Sequence, residues 1–169
     1  MSEQFFKKKK GEIGEKLFAA WLDRNNYPYI YVRQSQKDFS AFLKKIGAKR
    51  PDFLVFLPGT GLIAVDVKNH TFSKSNGTRT VNISEDGELT AASQFSKLTK
   101  LHLWYAFVGS KSEEICDEWY FTYADEVPNK GKFRKGDNGI FYVLALEELC
   151  CVRDSLDGLS SYAKVSLFK

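Results

Sequence analysis

The stretch Pro51–Lys68, PDFLVFLPGTGLIAVDVK, constrains this chain more than any other. It holds two short apolar runs, Phe53–Leu57 and Leu62–Val67, joined by Pro58-Gly59-Thr60-Gly61. Runs of Phe, Leu, Val and Ile of this length, broken by Pro and Gly, predict a β-hairpin. Both faces of both strands are apolar, so the hairpin belongs at the centre of a sheet covered on two sides. The end away from the turn is charged, with Asp52, Asp66 and Lys68. Side chains alternate along a strand, so Asp66 and Lys68 share a face. Asp52 falls opposite Asp66 or Val67, depending on a one-residue choice of register.

Charges at the edge of an apolar core are costly unless they are paired or bound to a metal. One explanation is a structural Asp–Lys salt bridge closing the strand ends. The other is a site for a hard divalent cation, with two carboxylates as ligands and Lys68 beside them. The pattern as a whole favours the second. Pro51-Asp52, followed one hairpin later by Asp66-Val67-Lys68, resembles the signature of the PD-(D/E)XK nuclease superfamily. That superfamily includes many restriction endonucleases and archaeal-type Holliday junction resolvases.

The resemblance implies an α/β, restriction endonuclease-like core, a central mixed β-sheet flanked by helices. It implies metal-dependent hydrolysis of phosphodiester bonds in DNA, with RNA an open alternative. Mg²⁺ or Mn²⁺ would be held by Glu15, Asp52, Asp66 and the carbonyl oxygen of Val67. Such an ion supplies an activated water and neutralises charge on the phosphate. Lys68 would orient or deprotonate that water or stabilise the transition state, its pKa falling beside the cation. Nucleases of this kind carry a glutamate on the first helix. Gly11-x-x-Gly14-Glu15 is similar to the resolvase-like branch, with Gly14 letting the helix approach the sheet. Glu12 and Glu15 both suit a first helical turn, and the resemblance selects Glu15. Gln94 matches a glutamine that a later helix presents to the site, in support of the water or a ligand. The resemblance spans Gly11 to Gly109, and nothing is carried beyond it.

Other elements follow from periodicity. Ile13, Leu17, Phe18, Trp21 and Leu22 recur at helical spacing over Gly11–Arg24. Tyr27–Val32 is a strand, Gln34–Ile46 a helix or structured loop, Val81–Ile83 a short strand and Ala91–Leu101 a helix. Leu103–Val108, Glu118–Tyr123 and Ile140–Leu144 are further strands. Phe133–Asp137 begins a basic loop, Ala145–Arg153 is a short helix, and Tyr162–Phe168 returns as an edge strand.

With 169 residues, 43% of them hydrophobic, residues 11–169 are expected to form one domain behind a basic arm, residues 1–10, that includes Lys7–Lys10. The net charge of +4 fits a polyanion partner without carrying the case. Lys37, Lys44, Lys45, Lys49 and Arg50 lead straight into Pro51-Asp52, and Lys74 and Arg79 follow the hairpin. They are either phosphate contacts or a solvated basic face. Cys116, Cys150 and Cys151 lack C-x-x-C spacing, and Cys150 and Cys151 are expected to be buried small hydrophobes. With no signal-peptide pattern and no long apolar segment, a soluble, cytoplasmic protein with reduced thiols and no membrane contact is expected. Two histidines are too few for a zinc cluster, and there is no P-loop or dinucleotide fingerprint.

No separate DNA-reading module is visible, which points to structure-selective or weakly sequence-specific cutting, or to specificity supplied by a partner protein. One site makes one nick, so cutting both strands implies a homodimer. The alternatives are a nuclease-fold protein that binds nucleic acid without turnover, and a plain α/β domain held by salt bridges.

Overall fold

The computed structural model describes residues 3–32, 40–58, 61–75, 77–109, 115–136, 139–156 and 159. A long helix α1 (Glu3–Arg24) leads into strand β1 (Tyr29–Tyr31) and a short helix α2 (Ala41–Lys45). The hairpin β2 (Phe53–Leu57) and β3 (Gly61–Lys68) follows, then a second hairpin, β4 (Ser73–Ser75) and β5 (Thr78–Ser84). A wide π-helical turn, Glu85–Leu89, runs directly into α3 (Thr90–Thr99). The chain continues through β6 (Leu103–Val108), β7 (Trp119–Tyr123), α4 (Val127–Lys130), β8 (Lys132–Gly136), β9 (Gly139–Ala145) and β10 (Cys150–Val152).

Among the described residues these strands form two sheets. The larger is mixed, in the order β1-β2-β3-β6-β7-β10, with β3 and β6 parallel and the other neighbours antiparallel. The smaller is antiparallel, in the order β4-β5-β9-β8. The expected restriction endonuclease-like α/β core, a mixed central sheet flanked by helices, is present, with β2 and β3 inside it. Alternation along the hairpin sorts its side chains into two cores. Phe53, Val55, Ile63, Val65 and Val67 pack with Leu17, Phe18, Trp21 and Leu22 of α1. Ala64, Tyr105 and Phe107 lie in the opposite core, with Val81, Ile83, Leu89, Ala92 and Phe95.

Several expectations need correction. The α1 backbone is helical from Glu3 rather than from Gly11, so Lys7–Lys10 lie within the helix. Phe133–Asp137 is not a basic loop: residues 132–136 are strand β8, exposed along its whole length, so no buried face marks it in the sequence. Residues 145–153 are not a helix; a single 3₁₀ turn, Leu146–Glu148, precedes β10. Pairing with the edge of β7 here overrides a weak local helical preference. Cys150 is only partly buried and Cys151 is exposed, because successive residues of an edge strand point to opposite faces. The expected strand Tyr162–Phe168, and residues 34–39 of the expected Gln34–Ile46 element, Lys37 among them, lie outside the described residues.

Gly14 sets the distance between α1 and the sheet. A Cβ at this position would meet Asn69 Cβ at 2.9 Å and Val67 Cγ1 at 3.4 Å, whereas one at Gly11 would meet nothing within 4 Å. Ala in a helix interior gains roughly 1 kcal/mol over Gly, and overpacking costs about 1–3 kcal/mol. Gly11→Ala is therefore expected to stabilise the protein in urea unfolding. Gly14→Ala should fall below it by about 2 kcal/mol, the cost of the strained contact, since both variants share the helical gain.

Candidate nuclease site

The hairpin register settles where the acids meet. The ladder ends with Phe53 opposite Val65, and Asp52 lies just beyond it. The Asp52 amide donates to the Val65 carbonyl at 2.9 Å, and the Val67 amide donates to Asp52 Oδ2 at 2.7 Å. Val32 closes the other side, its amide donating to the Asp52 carbonyl at 2.8 Å. Asp52 and Asp66 are 7% and 4% exposed and Lys68 is 9% exposed, so three charged groups are removed from water at one strand end.

Asp66 has a cation at each oxygen. Lys49 Nζ lies 3.2 Å from Oδ1, and Lys68 Nζ lies 2.8 Å from Oδ2. The Lys68 contact lacks hydrogen-bond alignment, leaving Oδ2 buried with its hydrogen-bonding capacity unused. Burial alone would raise the Asp66 pKa, but the two ammoniums outweigh it and hold the carboxyl low. Asp52 behaves oppositely. Burial, then the negative charge of Asp66, pushes it up to about 8 against the Val67 hydrogen bond.

Lys68 is shared. Its ammonium also contacts Glu88 Oε1, and it sits 5.5 Å from the centre of the Tyr105 ring. Burial pulls the Lys68 pKa down, but Asp66 and Glu88 outweigh it and the net shift is upward. The fall expected beside a cation is not the state described here. Glu88 was missed in the sequence because it lies in a Ser/Asn/Gly-rich stretch that reads as a loop; its only signal is its place just before an apolar helix.

Glu15 accepts a hydrogen bond from the Tyr31 hydroxyl at 2.6 Å, whereas Glu12 is exposed. The hydrogen bond to Glu15, then burial, pushes the Tyr31 hydroxyl up to about 12, with a further contribution from Asp52. Glu15 thus borders the Asp52 pair, and its charge also contributes to the rise at Asp52. Tyr31 was another omission, hidden among the aromatic residues of a predicted strand. Gln94 stands elsewhere. It lines a cavity of about 400 Å³ with Glu85, Lys97, Asp125 and Tyr142, apart from Asp52 and Asp66.

The basic residues divide. Lys49 belongs to the acid cluster, and its backbone amide donates to the Ala91 carbonyl at 2.8 Å, fixing it to α3. Lys44 and Lys45 are exposed in the last turn of α2, and Arg50 is half-buried beside Pro51. Lys74 is exposed opposite Arg79 in the second hairpin. Arg79 bonds the Tyr120 hydroxyl at 3.0 Å and faces the Phe72 and Tyr120 rings at 5.8 Å.

The donor set fits a hard cation in part. Two acidic oxygen donors from opposed strands, one holding a buried oxygen that accepts no hydrogen bond and one pushed toward its neutral form by the other, would both gain from a divalent ion. As placed, among the described residues no three His, Cys, Asp or Glu side chains are grouped closely enough to hold a metal.

No family model matches the sequence, and comparison with curated proteins finds no match. Solved structures are similar in fold. Hjc of Archaeoglobus fulgidus, a Holliday junction resolvase from an archaeal hyperthermophile, superimposes with a TM-score of 0.50 at 13% identity, covering 82% of this chain and 86% of that one. D212, a nuclease from a fusselovirus, gives a TM-score of 0.51 at 11% identity, covering 94% and 91%. The chain has the α/β, restriction endonuclease-like fold that was expected, a mixed central sheet flanked by helices. Among the described residues no helix is long and apolar enough to cross a membrane.

The raised Asp52 carboxyl gives a signed pH dependence. The folded chain keeps a proton there up to about pH 8, while the unfolded chain loses it near the ordinary carboxylate value of 3.8. The native state then binds more protons, so stability falls as pH rises through that window and levels off above it. Thermal melting in a chelator should show the melting temperature dropping between pH 5 and about pH 8. Asp52→Asn should flatten that slope, and an unchanged slope would place its cause elsewhere.

Proposed function

We propose that this chain is a Mg²⁺- or Mn²⁺-dependent nuclease that hydrolyses phosphodiester bonds in DNA. The observation that carries the reading is the buried end of β3, where Asp52, Asp66 and Lys68 meet on a fold shared with a resolvase and a viral nuclease. Asp52 and Asp66 would hold the ion, joined by Glu15 on release from Tyr31 and by the Val67 carbonyl oxygen. The ion supplies an activated water and neutralises phosphate charge. Lys68 brings a buried ammonium to the same point, where it can stabilise charge developing on the phosphate or orient the attacking water. Lys49, fixed against α3, carries a second positive charge toward the bound strand.

Lys44, Lys45, Arg50, Lys74 and Arg79 would contact phosphates, an affinity independent of base sequence. With no separate reading module, selectivity follows DNA structure or a partner protein, and a resolvase-like action on branched DNA is the form closest to the first neighbour. Cutting both strands requires two copies of the chain.

The test is incubation of the purified protein with linear, nicked, branched and single-stranded DNA, with and without Mg²⁺ or Mn²⁺. Cation-dependent cutting supports the reading. Binding without cutting makes the chain a nuclease-fold binding protein, and neither makes the acid cluster structural.

Asp66→Asn preserves size but removes a ligand charge, so cleavage should collapse in folded protein. Lys68→Ala should leave metal binding largely intact and slow cleavage by at least about a hundredfold. If both cut like the parent, the strand end is a salt bridge only. Affinity for random duplexes should fall steeply with salt; an affinity indifferent to a severalfold rise in salt would remove the basic residues from the interface.

A further inference from the structure

We infer that Glu88 is a positioning residue that fixes the Lys68 ammonium beside Asp66, a role that rests on the nuclease reading. Lys68 ends a four-carbon flexible stem, and two carboxylates from different elements hold its tip. Asp66 Oδ2 lies 2.8 Å from Nζ, and Glu88 Oε1 contacts it from the other side. Glu88 is itself held, because its Oε2 accepts a hydrogen bond from the Ser84 amide at 3.2 Å. The turn that carries it is anchored by Leu89, buried in the core between the two sheets. The Tyr105 ring bounds the ammonium as well.

Asp66 cannot do this alone. Its other oxygen is engaged by Lys49, and it is the acid that the proposed reaction assigns to the cation. Once Asp66 turns to a metal, Glu88 is the carboxylate still in contact with Lys68. An alternative place for the ammonium is at hand. A cavity of about 560 Å³, lined by Lys10, Asn69, His70, Thr71 and Asn82, opens beside Lys68. Without Glu88, the stem is free to swing into that space and away from the reacting phosphate. The second sheet thereby bears on the chemistry, since the hairpin β4–β5 delivers the turn.

Glu88→Gln keeps length and the acceptor for Ser84 while removing the charge that holds Lys68. It should lower kcat by about ten- to a hundredfold and leave the KM for DNA unchanged. In a Lys68→Ala background the same change should cost nothing further, because Glu88 acts only through Lys68. Equal losses in both backgrounds would make Glu88 a structural residue and overturn the proposal. A second readout does not depend on cutting. Acetylation of Lys68 by an N-hydroxysuccinimide ester, followed by peptide mass spectrometry of the whole protein, should speed up in Glu88→Gln. An unchanged rate overturns the positioning role. If the parent cuts no DNA, the nuclease reading fails, and the labelling rate alone decides whether Glu88 holds Lys68.

Discussion

The buried contact between Asp66 and Lys68 is the interaction on which the rest of this site depends. Removing two charges from water costs more than an isolated pair returns, unless further partners complete the shell. Here the shell is completed from two sides. Lys49 arrives at Asp66 from the loop after α2, and Glu88 arrives at Lys68 from the turn before α3. Each is tied to the backbone, Lys49 through its own amide to Ala91 and Glu88 through the Ser84 amide. The result is an alternating chain of charges, Lys49–Asp66–Lys68–Glu88, in which each inner member has an opposite charge on both sides. Three separate stretches of sequence are held in one place by this requirement.

The parallel pairing of β3 with β6 makes that meeting possible. A parallel neighbour needs a long crossover, and here the crossover contains β4, β5, the π-helical turn and α3. It covers the sheet face that carries Asp66, Tyr105 and Phe107, and it builds half of the second sheet. The opposite face is covered by α1, whose close approach at Gly14 brings Glu15 past the strand ends toward Asp52. Asp52 and Asp66 are thus approached from both layers, although they lie at one end of a single central hairpin.

How much of this was legible follows from where the signals were strong. The hairpin announced itself by its apolar runs, and alternation alone put Asp66 and Lys68 on one face. Register was the open choice, because the turn contains two glycines and does not fix its own length; the ladder ends at Phe53 and Val65, and Asp52 just beyond it bonds the Val65 carbonyl and the Val67 amide. The second sheet was poorly legible for a physical reason. β8 has no buried face, so it carries no period that sequence can show, and β10, at the edge of the first sheet, is too short to carry one. Glu88 and Tyr31 were missed because their roles depend on contacts across 20 and 16 residues. Gln94 lies on the expected helix, where it lines a cavity with Glu85, Lys97 and Asp125.

The three acids differ in what compensates them, and this orders their availability. Asp66 is opposed by two ammoniums, Asp52 by a backbone amide and a raised affinity for a proton, and Glu15 by a tyrosine hydroxyl. The Tyr31 hydroxyl is a neutral donor near the surface, and water can replace the bond it makes to Glu15. The Val67 amide is part of the sheet and cannot move without breaking the register. The ammoniums can move, but only if another anion receives them, and among the contacts of Lys68 that anion is Glu88. Under the proposed reading, Asp52 would hold a cation without moving, Glu15 would join it at the cost of one replaceable hydrogen bond, and Asp66 would be free to do so because Glu88 retains the lysine.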